Sequence, residues 1–303
     1  MVAALKAPFP YFGGKSRIAD EVWRRLGHTR QYIEPFLGSA AVLLNKPRPS
    51  SLEVVCDANG YLANFWRCVK FQPNEAWAWA DYPVSHMDLG ARHLWLTEPE
   101  RVKALEAKLI DPDWPGDPKL AGWWLWGQCC WIGSGWCDWF RAGQIPHASD
   151  AGRGVQAPGQ IPHAGNAGRG WLLRLSSRLA RVRVVHGNWD RCLNHHYGND
   201  DTAVFLDPPY KAFEKLYGSE PIAAAAEDWA RDNANLRVAI CGHVGDYELP
   251  GWSVLRWSRG RLTYSGGKTT DDEAIWFSPS CANGPSGQAS LFGGPEDDEE
   301  EKA

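Results

Sequence analysis

VFLDPPY, residues 204–210, closes an apolar run on a carboxylate, two prolines and a tyrosine. Val204, Phe205 and Leu206 suit a short, fully buried strand. Pro208 and Pro209 carry no N–H, so the strand stops there and leaves a rigid shelf at its carboxyl end. Taken alone, such a shelf reads first as a strand end followed by a turn. The remainder of the sequence has to supply a reason for it.

Strand and helix patterns alternate on both sides of the shelf. Upstream, Ser16 caps a helix carrying Ile18, Val22 and Leu26 on one face and closed by Gly27. QYIEPF (31–36) reads as a strand entering a turn, GSAAVLLNK (38–46) as a short helix stopped by Pro47, and LEVVCD (52–57) as a second buried strand. Residues 58–70 are helical in pattern. VRVVHG (182–187) and LRVAIC (236–241) are further strands, with a helix begun near Pro221 between the shelf and the latter. WSVLRW (252–257) and EAIWFS (273–278) close the sheet as antiparallel strands. The alternation predicts an α/β fold with a mostly parallel sheet.

Between about 71 and 180 the alternation is interrupted. Thr97 and Glu100 form a capping-box pair opening a helix to about Ile110. A Trp-rich run, AGWWLWGQCCWIGSGWCDWF (121–140), follows, and its tryptophans read first as packing. GQIPHASDAGRGVQAP (143–158) is then echoed by GQIPHAGNAGRGWLLR (159–174), one 16-residue unit copied once. Its glycine, proline and polar content predicts a long surface loop, with helical periodicity resuming at Trp171. Leu172, Leu175 and Leu179 share one face of that helix, and Arg174, Arg178 and Arg181 the other.

Charge and composition narrow the classes. The formal charge is −4, yet Glu296–Glu301 (EDDEEE) with Lys302 contribute −5, so residues 1–295 hold about +1. Residues 141–191 carry eight Arg against Asp150 and Asp190. A basic middle with an acidic tail fits a nucleic-acid protein. Eighteen Trp favour a folded, ligand-contacting chain. No run is long and apolar enough for a membrane span, and the N-terminus lacks a signal-peptide core, so no membrane partner is expected. Eight Cys lack zinc spacing, and His147 and His163 lack ligand partners, so no metal is expected and a reducing cytoplasm is the default. From 279 onward Ser, Gly, Pro and acid predict a disordered tail.

Two further constellations lie upstream of the shelf. In PFPYFGGKSR (8–17), Gly13 and Gly14 let backbone approach a ligand, Lys15 offers a cation, and a helix start offers free N–H groups. The segment is not a Walker A loop, because the first glycine is missing. In YIEPFLGSAAVLLN (32–45), a strand ends at Glu34, turns through Gly38 and enters a helix, as adenosine-type cofactor sites require. The G-x-G-x-x-G of dinucleotide enzymes is absent. Asp57, ending the next strand, serves either ribose hydroxyls or the cap of the following helix.

Together and in this order, F-G-G-K, E-P-F-L-G and D-P-P-Y resemble the Dam-like, alpha-group DNA adenine-N6 methyltransferases, phage-type members in particular. The likeness covers residues 8 to about 70 and 180 to 278, and includes the E-x-x-W-F-S-P ending at Glu273–Pro279. It implies a Rossmann-like S-adenosylmethionine-dependent methyltransferase sheet with an inserted target-recognition region. The catalytic domain then comprises residues 1–70 and 181–278, the recognition insertion 71–180 with its duplicated loop at 143–174, and the tail 279–303.

The resemblance also gives the shelf a purpose. Adenine N6 is a poor nucleophile because its lone pair is delocalised into the ring. Asp207 and the Pro208 carbonyl would each accept one N6 hydrogen, Pro209 would keep the acceptors rigid, and Tyr210 would stack on an adenine flipped out of double-stranded DNA. Tyr11, Lys15, Glu34, Phe36, Gly38 and Asp57 would hold S-adenosylmethionine, with Asp207 counted as a cofactor contact too. Where some relatives carry a Trp-like ring before the glycine pair, this sequence has Tyr11 and Phe12.

DNA contacts are expected from Arg153 and Arg169 at glycine-flanked loop tips, from the stripe Arg174, Arg178 and Arg181, and from Arg259. Gln288-Ala-Ser-Leu-Phe292 is similar to peptides that dock on the bacterial sliding clamp. The implied setting is the cytoplasm of a bacterium or a phage-infected host, as an orphan methylase or half of a restriction–modification pair. Alternatives within the fold act on cytosine N4, RNA adenine or protein glutamine; outside it stands a catalytically inactive DNA-binding relative.

Overall fold

The computed structural model describes residues 5–11, 13–131, 136–137, 165–193, 201–210, 221–258 and 272–281. Within these, the expected strands form, and the chain divides into two compact units. The first holds residues 1–23 and 30–197, the second residues 24–29 and 198–303.

In the first unit, β1 (Gln31–Glu34), β2 (Leu52–Asp57) and β3 (Val182–His186) pair in parallel in the order β3-β2-β1. The register sets Asp57 beside His186. Val54, Val55 and Cys56 are at most 1% exposed, the near-continuous burial expected of a parallel strand covered on both faces. α1 (Ala19–Leu26) starts three residues beyond Ser16 and ends at Gly27, whose φ of 68° is the left-handed stop that glycine tolerates. α2 (Ala41–Leu44) and α3 (Gly60–Phe71) follow β1 and β2.

The described residues between 71 and 180 belong to the same unit. α4 (Pro73–Ala80), α5 (His86–Leu96), α6 (Pro99–Leu109), α7 (Pro118–Cys130) and α8 (Gly165–Leu179) follow α3. Of these, α4, α6, α7 and α8 pack directly on α3, while α5 packs on α7. An aromatic core joins Phe9, Phe65, Trp66 and Trp124, with centroids 5.0–6.0 Å apart. Trp124 and Trp126 are at most 1% exposed, so this part of the Trp-rich run is packing, as its sequence suggests. The Leu172, Leu175 and Leu179 face of α8 is buried as well, each side chain contributing ~1.5–3 kcal/mol.

Two local expectations are corrected. Thr97 does not open α6; its hydroxyl donates to the His93 carbonyl at 2.8 Å and so closes α5, while Glu98 precedes α6 and Pro99 begins it. Pro is favoured at a first helical position because its missing N–H is not needed there. α8 begins at Gly165, six residues before Trp171, so the end of the duplicated segment is helical rather than loop. There Gly168 meets the Trp77 ring so closely that an added Cβ would lie 2.0 Å from it. Close helix contact outweighs the low helix propensity of glycine at that position.

In the second unit, β4 (Thr202–Leu206) pairs in parallel with β5 (Arg237–His243). β6 (Ser253–Ser258) and β7 (Asp272–Phe277) complete the order β4-β5-β7-β6, with β7 antiparallel to both neighbours, as read from sequence. α9 (Ile222–Asp232) packs on β5 through Ala223, Ala226 and Ala230, all fully buried. Each unit is thus α/β, with parallel pairs in both and an antiparallel closing pair in the second, in keeping with a Rossmann-like methyltransferase. Among the described residues, no helix is long and apolar enough to cross a membrane.

Candidate active site

In the first unit, the strand ends β1 and β2 build a cradle. Asp57 is half-buried, and its carboxylate accepts the Gly38 N–H and the Asn59 N–H, both at 2.8 Å. The helix cap is Asn59 instead, accepting from Tyr61 and Leu62 at 2.9 and 3.3 Å. Asp57 is therefore not the cap of α3; its carboxylate ties the end of β2 to the turn after β1. Burial raises its carboxyl to about 6, against two opposing backbone hydrogen bonds.

Gly38 (φ 47°) and Ala40 (φ 55°) are both left-handed, so the turn from Phe36 into α2 is wound tightly. Such backbone is costly for a non-glycine residue and persists where the surroundings enforce it. At Gly38 the reason is visible: a Cβ there would lie 2.6 Å from Cε1 of Tyr11. The Tyr11 ring lies directly on this glycine and remains 41% exposed. Phe9, two residues earlier, is the buried ring of the segment, and Phe12 lies outside the described residues.

Lys15 is 3% exposed and donates to the Gly13 carbonyl at 2.8 Å. Glu34 is 2% exposed, and its Oε2 accepts the Tyr32 hydroxyl at 2.8 Å and the Leu43 N–H at 3.2 Å. Glu34 therefore braces β1 against α2 from inside. Burial, with the Glu34 charge beside it, pushes the Tyr32 phenol up, which keeps it a neutral donor.

Phe36 is half-buried and stacks on Trp189, with centroids 5.8 Å apart and planes at 19°. Trp189 opens a short 3-10 helix, Trp189–Cys192, just after β3. The Gly187 N–H donates to the Asp57 carbonyl at 3.1 Å, linking this segment to the cradle. The sequence marks the strand but not the role of Trp189; the signal for it is an aromatic shortly after a strand, in G-N-W-D.

The second unit carries the shelf. β4 is buried along its whole length, Pro208 is buried, and Asp207, Pro209 and Tyr210 are half-buried beyond the strand end. Tyr210 donates its hydroxyl to Glu273 Oε2 at 3.1 Å and meets His243 edge to face at 4.6 Å. Burial, followed by the Asp207 charge, holds the Tyr210 phenol far above its ordinary range.

Residues 11–81 match the family model of the D12 class N6 adenine-specific DNA methyltransferases. The match supports an adenine-specific DNA methyltransferase. Its span takes in the glycine pair, Lys15, the Phe36–Gly38 turn and Asp57. No curated protein matches the chain at a significant level.

The expected DNA-contact residues part company. Arg169, Arg174 and Arg181 are exposed; Arg169 donates to Asn74 at 2.8 Å, and Arg174 lies over the Trp171 ring at 4.3 Å. Arg178 departs from the solvent face predicted for it. Its guanidinium grips the buried Glu53 carboxylate in a fork, at 2.6 and 3.1 Å, and donates to the Leu43 carbonyl at 2.9 Å. A buried carboxylate demands such a partner, and Arg178 is within its reach. Arg153, Arg259 and the Gln288–Phe292 segment lie outside the described residues.

Proposed function

We propose that the chain transfers a methyl group from S-adenosylmethionine to adenine N6 in double-stranded DNA, at a sequence chosen by residues 71–180. The observation that carries this reading is the Asp207–Tyr210 shelf at the carboxyl end of the buried strand β4. The family match supports adenine methylation by the same chain.

The cradle suits the methyl donor chemically. Asp57 offers carboxylate oxygens to ribose hydroxyls, the exposed Tyr11 ring and the Phe36–Trp189 stack offer flat apolar faces, and Lys15 offers a cation near a carboxylate. A Cβ at Gly38 would close the space that Tyr11 now fills. When bound, S-adenosylmethionine supplies an electrophilic sulfonium methyl group.

The chain's own part is positioning and charge. The Asp207 carboxylate and the Pro208 carbonyl accept the two N6 hydrogens and draw the nitrogen lone pair out of conjugation. Pro209 holds that geometry, and the Tyr210 ring stacks on the flipped base. Orientation and preorganised acceptors then carry the rate, with no covalent intermediate. Arg169, Arg174 and Arg181 supply phosphate contacts.

The test is methyl transfer from labelled S-adenosylmethionine to unmethylated genomic DNA, wild type beside Asp207→Ala, with product nucleosides identified by mass. N6-methyladenine from the wild type alone supports the reading. N4-methylcytosine, or no transfer by either protein, rejects it.

A further inference from the structure

Glu273 belongs to the E-x-x-W-F-S-P ending, which the proposed chemistry does not yet use. It sits on β7, opposite His243 of β5 and Trp257 of β6, and is 3% exposed. A carboxylate that deep needs hydrogen-bond donors, and the Tyr210 hydroxyl is one. The Tyr210 ring is therefore held at two points, through its hydroxyl by Glu273 and at its ring by His243, 4.6 Å away. An aromatic ring needed only for stacking gains nothing from a hydroxyl, since phenylalanine offers the same face. The buried Tyr210–Glu273 bond gives that hydroxyl a use.

We infer that Glu273 is a positioning residue for methyl transfer, fixing through the Tyr210 hydroxyl the plane of the ring that receives the target adenine. This rests on the reading of the shelf given above. Removing the acceptor frees the ring to rotate about its side-chain bonds and leaves a buried hydroxyl without that partner. Misplacement of about 1 Å near reacting atoms can cost up to about 100-fold in rate. The loss falls on kcat and on KM for DNA, leaving KM for S-adenosylmethionine in place.

The experiment measures kcat and both KM values for wild type, Glu273→Leu, Glu273→Gln, Tyr210→Phe and the Glu273→Leu/Tyr210→Phe pair, with thermal unfolding of each. Glu273→Leu and Tyr210→Phe should each lower kcat roughly 10- to 100-fold. The pair should be no worse than either alone, because both remove one bond. Glu273→Gln, whose amide oxygen still accepts the hydroxyl, should recover most of the loss. Losses that multiply in the pair would overturn the inference, making Glu273 a brace of the sheet. Should Glu273→Leu fail to fold, Tyr210→Phe decides: wild-type kcat there overturns the inference as well. A wild type that makes no N6-methyladenine overturns the functional reading itself, and this inference with it.

Discussion

The carboxylate of Asp57, at the end of β2, accepts the backbone N–H of Gly38 at 2.8 Å, and this bond closes the turn on which Tyr11 lies. Two residues 19 apart in sequence thereby fix a strand end, a left-handed turn and an exposed ring in one arrangement. Each half of the contact has a measurable consequence.

The first concerns pH. Burial holds the Asp57 carboxyl at about 6, above its ordinary 3.8. Its contribution to folding stability is fully present below the ordinary value and is lost as pH rises through 6, a difference of ~3 kcal/mol. A ligand whose hydroxyls donate to the ionised carboxylate has the opposite preference. Affinity for S-adenosylhomocysteine should therefore rise between pH 5 and pH 7, and Asp57→Asn should flatten that rise. Calorimetric titrations at three pH values check it; equal affinity at pH 5 and 7 in the wild type would exclude Asp57 as the acceptor.

The second concerns the turn. Gly38→Ala places a side chain in left-handed backbone, at about 1–2 kcal/mol, and pushes the Tyr11 ring away. Cofactor affinity should fall. Adding Tyr11→Ala to Gly38→Ala should then cost little more, since the ring is already displaced. Independent, multiplying losses would show that Tyr11 does not contribute through this contact.

The third separates two arginines that look alike in sequence. Arg178→Ala strips the buried Glu53 of its forked partner and should destabilise the protein by about 3–5 kcal/mol, seen in urea unfolding. It should leave the salt dependence of DNA binding unchanged. The exposed Arg181→Ala should do the reverse, keeping stability and lowering the slope of log K against log salt by about 1. If Arg178→Ala instead lowers the salt slope at constant stability, the fork is not what holds that side chain.

That contrast marks where sequence reading stops. Strands β1 to β7 and the shelf were legible because apolar runs, terminal prolines and glycine stops are local signals. The order of F-G-G-K, E-P-F-L-G and D-P-P-Y was legible for the same reason. Arg178 was not, since helical periodicity assigns a face but cannot see that Glu53, 125 residues away, waits buried beside it. The start of α8 was missed because Gly168 is chosen by a ring of α4 rather than by helix propensity. Tyr11 on Gly38 and Phe36 on Trp189 are likewise contacts across the chain, which composition and spacing do not encode.

Trp189 yields the last prediction. Its ring stacks on Phe36 at 5.8 Å, and Asn188 and Cys192 secure its backbone: the Trp189 N–H donates to Asn188 Oδ1 at 3.0 Å, and the Cys192 thiol donates to the Trp189 carbonyl at 3.3 Å. A ring stacked on Phe36 from a hydrogen-bonded backbone, beside the segment bonded to Asp57, is suited to lie against the flat base of an adenosine ligand. Stacking between a base and an aromatic side chain is worth about 1–3 kcal/mol. Trp189→Ala should therefore weaken S-adenosylhomocysteine binding about 10- to 100-fold, while Trp189→Phe keeps most of the affinity. KM for DNA should stay constant in both variants, because the loss falls on the cofactor. Unchanged cofactor affinity in a folded Trp189→Ala protein would make the Phe36–Trp189 pair a packing contact and leave Asp57 and Tyr11 as the determinants of the cradle.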